Sequence, residues 1–147
     1  MDKKIKRLIS YYKRMVGTND PFKIASFLGI QVFFDSLGDA LGMYKYLEHT
    51  KCIFINSTVM DDELLARIVM AHELGHAALQ WKENCCFMAH KTLLLTSKVE
   101  LDANTFAAEL LITDDLLMEF QGCTVEQFSN CTGIDKDLIA LRLRNLK

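Results

Sequence analysis

A chain of 147 residues with 50% hydrophobic composition is long enough to bury one core and too short to call for two. A formal net charge of −2 and a pI near 6.1 supply no global attraction for nucleic acid or an anionic membrane, so any such contact has to be local. The longest apolar runs, such as FAAELLI, are far too short to span a bilayer. The N-terminal MDKKIKRLISYYKRM alternates charge with apolar residues instead of showing a signal-peptide stretch, so the expected location is cytoplasmic.

Helices are predicted over about 2–15 and 20–28, the second announced by Pro21 after Asn19 and Asp20. The pattern then turns to strands in QVFF, LGMYKYL and KCIFIN, with EHT as a hairpin connection between the last two. LGMYKYL alternates well enough to be a sheet edge that a peptide substrate extends, or it is a simple half-buried strand. From Asp61 onward the chain reads as helical. A helix over about 60–79 opens on Asp61, Asp62 and Glu63, with Ser57 and Thr58 as possible caps. A further helix spans about 98–111, and shorter ones fill 114–121, 124–131 and 135–146, broken at Gly122 and Gly133. The expectation is one α+β domain over 1–147, a small antiparallel sheet packed on a helical core with additional C-terminal helices.

The five cysteines are odd in number and lack CxxC spacing, and Cys85 and Cys86 stand side by side in a presumed loop; all read as reduced thiols. His49 reads as a solvated turn residue. The segment TVEQFSNCTGIDKDLIALRLRN has the length of a helix-turn-helix, with Lys136, Arg142 and Arg144 on its second helix. A packed helical hairpin fits better, because Leu138 and Leu141 with Ile139 or Arg142 form an ordinary amphipathic face and the basic charge is sparse.

The chemistry is concentrated in IVMAHELGHAAL, residues 68–79, where two histidines and a glutamate sit in a helix that otherwise looks buried. At 100° per residue, His72 and His76 share a face one turn apart, on the same stripe as Leu65, Ile68, Val69 and Leu79. A divalent metal satisfies both inward imidazoles at once, and Glu73 stands beside it as a general base. This is the HExxH arrangement. The competing structural reading is two core histidines bonded to backbone carbonyls. Gly75 permits close approach of another backbone or of a substrate.

A third ligand is sought in SKVELDANTFAAELLI, which offers Glu100, Asp102 and Glu109. Glu100, Asn104, Ala107 and Leu111 fall on one helical stripe, while Asp102, Thr105 and Glu109 gather on the opposite side as a solvated face. Glu100 is then the inward carboxylate, and Asn104, one turn on, is placed to orient a ligand by a hydrogen bond. Two histidines and one glutamate leave a fourth tetrahedral position for water, as in a catalytic zinc site.

HELGH followed by ELDANTFAAELL resembles the ImmA/IrrE family of zinc metallopeptidases, and DPFKIASFLGIQVFF and KCIFIN extend the resemblance over about residues 20–112. In the related gluzincin pattern a ligand glutamate is followed four residues later by Asp or Asn, which Glu100 and Asn104 match; the proline common after FAAELL is replaced here by Ile112-Thr113. The resemblance implies a zincin-like fold and an intracellular protease of prophages or mobile elements whose substrate is a helix-turn-helix repressor; the charge balance and the short apolar runs lead to the expectation of no direct nucleic-acid or membrane partner. Its implied mechanism has Zn2+ acidify a water that Glu73 deprotonates for attack on a peptide carbonyl. Tyr44, Tyr46 and His90 are candidates to steady the developing oxyanion. The alternative is a non-proteolytic anti-repressor that binds its partner through a zinc-stabilised domain.

Overall fold

The computed structural model describes residues 2–88 and 97–146, with residues 85–88 described as backbone only. Helix α1 (Asp2–Val16) buries Ile5, Ile9 and Tyr12, spaced i, i+4, i+7, and Tyr12 tilts against Phe106 at 6.4 Å between ring centroids. Helix α2 (Pro21–Phe27) starts where Asp20 accepts a hydrogen bond from Phe22 N and Pro21 supplies a pre-set first turn.

Strands β1 (Gln31–Asp35), β2 (Ala40–Leu47), β3 (Thr50–Asn56) and β4 (Cys85–Met88) form one sheet in the order β1-β3-β2-β4. The β2–β3 hairpin turns through Glu48 and His49, both left-handed at φ 47 and 63, as a two-residue turn of primed type requires. The sheet is mixed and not antiparallel throughout. The short turn after β1 reverses the chain as a hairpin does, but β3 inserts between the two arms, so β1 runs parallel to β3, with Gln31 opposite Cys52 and Asp35 opposite Asn56. Asn56 fixes that junction by donating from Nδ2 to the carbonyls of Gly38 at 3.1 Å and Ala40 at 2.8 Å.

Of the two readings of LGMYKYL, the half-buried strand is the one the structure takes: β2 lies between β3 and β4, and the outer strands are β1 and β4. Cys85 and Cys86 lie in a strand, paired with Tyr44 and Met43 of β2, and not in a loop.

A 3-10 turn over Ser57–Asp61 leads into α3 (Glu63–Leu79). Because that turn takes up Ser57 and Thr58, the cap of α3 is Asp62, which accepts from Leu65 N at 3.1 Å. Eleven of the 17 residues of α3 are buried, since the sheet lies on one side and α4 (Lys98–Leu111) on the other. The chain closes with α5 (Asp114–Glu119), α6 (Val125–Thr132) and α7 (Lys136–Arg144); α6 carries a full capping box, Thr124 with Gln127, and stops at Gly133 with φ 80.

The expected solvated face of α4 is buried. Asp102 and Thr105 are 5% and 4% exposed, and the Glu109 side chain is 8% exposed. The helical phase is as expected, but the side away from α3 meets α1 and α7 and not water. Asp102 and Thr105 are satisfied and Glu109 only in part: Lys98 Nζ pairs with Asp102 at 2.9 Å, Thr105 Oγ1 donates to Leu101 O at 2.9 Å, and Arg142 faces Glu109 at 3.7 Å while Glu109 Oε1 has no hydrogen-bond partner among the described residues. Arg142, itself buried, also donates to Ile112 O at 2.8 Å and to Asp114 at 2.7 Å, tying α7 to the end of α4. Its guanidinium is therefore a structural pin and is withdrawn from any DNA-reading surface.

Helices α3 and α4 approach each other closely at Gly75. A Cβ there would lie 3.0 Å from Phe106 Cβ and 3.1 Å from Ala103 Cα, so the close approach is to a backbone and not to a substrate. Gly75→Ala is expected to cost about 1–3 kcal/mol by overpacking, read as a lower urea midpoint at unchanged slope. An unchanged midpoint would show that the two helices separate at no cost.

Candidate metal centre

The α3 register puts His72, Glu73 and His76 in the buried interior, and their ligand-type atoms lie within 4.8 Å of one another. Glu100 enters from the first turn of α4. Ser97 caps that helix by accepting from Glu100 N at 3.1 Å, and the Glu100 carboxylate reaches across to the imidazoles. His72 Nε2 and Glu100 Oε2 are 2.8 Å apart, His76 Nε2 and Glu100 Oε2 3.3 Å, and the two Nε2 atoms 3.1 Å. Three potential donor atoms therefore converge on one point.

The far side of each ring explains the convergence. His72 Nδ1 meets Asn104 Oδ1 at 2.7 Å, and His76 Nδ1 meets Gln80 Oε1 at 3.3 Å. An amide oxygen accepts, so each Nδ1 carries the proton and each Nε2 presents its lone pair towards the Glu100 carboxylate. Three lone-pair atoms this close repel unless a cation or shared proton lies among them. A tetrahedral ion with bonds of about 2.0–2.1 Å separates its ligand atoms by about 3.3 Å, so the donor set fits a divalent metal.

The electrostatics follow from burial and from this pairing. Desolvation lowers the pKa of His72, and a proton shared between Nε2 and Glu100 in place of a cation offsets part of that shift. For Glu100, burial pushes the pKa up, but such a shared proton and the charge it brings to His72 and His76 outweigh that and hold the carboxyl well below its ordinary range. Glu73 goes the other way: burial, and then the neighbouring Glu100 charge, push its pKa well above the usual carboxylate value. Among the described residues neither Glu73 oxygen has a hydrogen-bond partner. Gly42 of β2 roofs the side chain, since a Cβ there would sit 3.2 Å from Glu73 Cγ and 2.8 Å from Val69 Cγ1. A fully buried carboxyl without a partner is costly unless something polar enters beside it.

His72, Glu73, His76, Glu100 and Asn104 are thus brought together. Asp102 is not among them, being held by Lys98. Tyr44 is fully buried and its hydroxyl donates to Trp81 O at 2.6 Å, while Tyr46 packs edge-on against the Trp81 ring at 5.0 Å. His90 lies outside the described residues. Two contributors escaped the sequence reading. Gln80 stands at i+4 from His76, a spacing that signals it, whereas Gly42 carries no sequence signal because its role depends on how the sheet crosses α3.

A mixed sheet laid over an HExxH helix, with a glutamate delivered from a second helix, defines a metallopeptidase-type domain. The Peptidase_M78 description, IrrE N-terminal-like domain, matches residues 25–142, and the chain belongs to that family. It is 36% identical over 141 residues to "Uncharacterized immunity region protein 2" of Bacillus phage phi105, covering 94% of this chain and 85% of the relative. It is 32% identical over 136 residues to "Metallopeptidase ImmA" of Bacillus subtilis (strain 168), covering 86% of this chain and 76% of the relative. Among the described residues no helix is long and apolar enough to cross a membrane.

Proposed function

We propose that the protein is a zinc endopeptidase that cuts an intracellular helix-turn-helix repressor, with His72, His76 and Glu100 as ligands, Glu73 as general base and Asn104 orienting His72. The observation that carries this reading is the pairing of three converging donor atoms with an adjacent buried carboxyl that has no partner of its own. A surface that only binds has no need of a buried, unpartnered carboxyl; a proton-transfer site does. The repressor as substrate is supported by the family resemblance and by the immunity-region name of the phage relative.

Zinc held by His72, His76 and Glu100 would supply polarisation of the scissile carbonyl and acidification of a water molecule. Glu73 would accept the proton of the attacking water and return it to the leaving amine. Asn104 and Gln80 hold the two imidazoles in the tautomer that keeps Nε2 pointing inward. The roof over Glu73 at Gly42 keeps its carboxyl from swinging out of reach of the reacting groups.

The test is to mix the zinc-loaded protein with each helix-turn-helix protein encoded in the same genomic region. Two defined repressor fragments are expected, none in the presence of a chelator, and restored cleavage when zinc is returned. A repressor left intact by the zinc-loaded protein would overturn the reading.

A further inference from the structure

Although the chain as a whole carries a net charge of −2, its cations are unevenly placed. Helix α1 holds Lys3, Lys4, Lys6, Arg7, Lys13 and Arg14 against a single acid, Asp2, so this one helix carries +5 and the remainder of the chain −7. Lys3, Arg7, Ser10 and Arg14 recur at i, i+4, i+7 and i+11 and form one exposed stripe. Lys6, Arg7, Ser10, Tyr11 and Arg14 line a shallow depression of about 420 Å³. Its polar groups are three cations and two hydroxyls, all able to donate to an anion, with no carboxylate among them.

Of these cations Lys6 is used within the fold, donating to Asn145 O at 2.9 Å and offsetting part of the burial of Glu109. Among the described residues Lys3, Arg7 and Arg14 have no acidic partner. A solvated helix face ordinarily intersperses both signs, and here one sign runs the length of the helix. An interfacial membrane helix would need a free apolar face, whereas Ile5, Ile9 and Tyr12 are already buried in the core. The stripe from Lys3 to Arg14 extends roughly 16 Å along the helix axis, too long for one phosphate and suited to several in succession.

We propose that the outward face of α1 binds the phosphodiester backbone of double-stranded DNA, without reading its sequence. The binding stands apart from the catalytic reading. Its biological sense rests on that reading, because a protease held on DNA is placed beside a repressor already bound there.

The test is fluorescence anisotropy of a labelled mixed-sequence 24-base-pair duplex titrated with the full chain. At 50 mM salt a Kd of about 1–100 μM is expected, and with about four phosphates neutralised the affinity should fall roughly 10²-fold between 50 and 200 mM salt. The triple variant Lys3→Gln, Arg7→Gln, Arg14→Gln should bind at least about 10-fold more weakly and lose about 2.7 from the slope of log affinity against log salt, with its circular dichroism spectrum and its cleavage of free repressor unchanged. Glu73→Gln should bind the duplex as wild type does, which separates this inference from the catalytic one. Wild-type failure to bind, an unaffected triple variant, or binding only to phosphatidylglycerol vesicles would overturn it.

Discussion

Glu73→Gln is expected to lower repressor cleavage by about 10²–10⁴-fold while leaving metal content and repressor affinity in place. Glutamine keeps the shape of the side chain and cannot take up a proton from water. Because Gly42 closes over the Cγ atom and burial is complete, the replacement has no room to adopt a different pose. Burial disfavours the charged form of Glu73, so removing that charge should not lower the melting temperature. Fragment yield by mass spectrometry, zinc by atomic emission and repressor binding by pull-down would be read on the same preparation. A variant that still inactivates the repressor in cells as well as wild type does would mean that binding alone, and not cleavage, is the function.

His72→Ala, His76→Ala and Glu100→Ala should each lose most of the metal that wild type holds at about one ion per chain, since two protein donors are too few for a stable site. Asn104→Ala removes the acceptor that orients His72, and should weaken metal affinity or activity by about 10–100-fold. Asp102→Ala provides the contrast. Its carboxylate is held by Lys98 away from the imidazoles, so metal content should be unchanged although stability falls. Metal loss in Asp102→Ala together with full occupancy in Glu100→Ala would reverse the proposed ligand assignment.

The candidate site was legible in the sequence because both of its helices declare their phase. HELGH sets His72 and His76 on one face, and the i, i+4 spacing of Glu100 and Asn104 selects them over Asp102. What periodicity cannot report is the neighbour on the other side of an element. Asp102, Thr105 and Glu109 were placed on the correct face of α4, yet that face is covered by α1 and α7, and a polar face paired internally looks in sequence like one that is solvated. The sheet shows the same gap: QVFF announces a strand, but nothing in it announces that β3 will insert between β1 and β2 and make the pairing parallel. Asp62 displaced Ser57 and Thr58 as the cap of α3 because a 3-10 turn, which carries no apolar period of its own, came first.

The unequal burial of α1 and α4 bears on how such a protein can diverge. Nine of the fourteen residues of α4 are buried, against three of fifteen in α1. Drift is restricted on both faces of α4, since a change towards α3 disturbs the candidate ligand set and a change at Glu109 removes the carboxylate that faces the buried Arg142. Helix α1 has to keep Ile5, Ile9 and Tyr12, with Leu8 and Val16 packed beside them. Its exposed positions are free to gain or lose cations in single steps, so relatives can acquire or shed affinity for a polyanion without touching the chemistry, while a new chemistry would require several simultaneous changes in the helix least able to accept them.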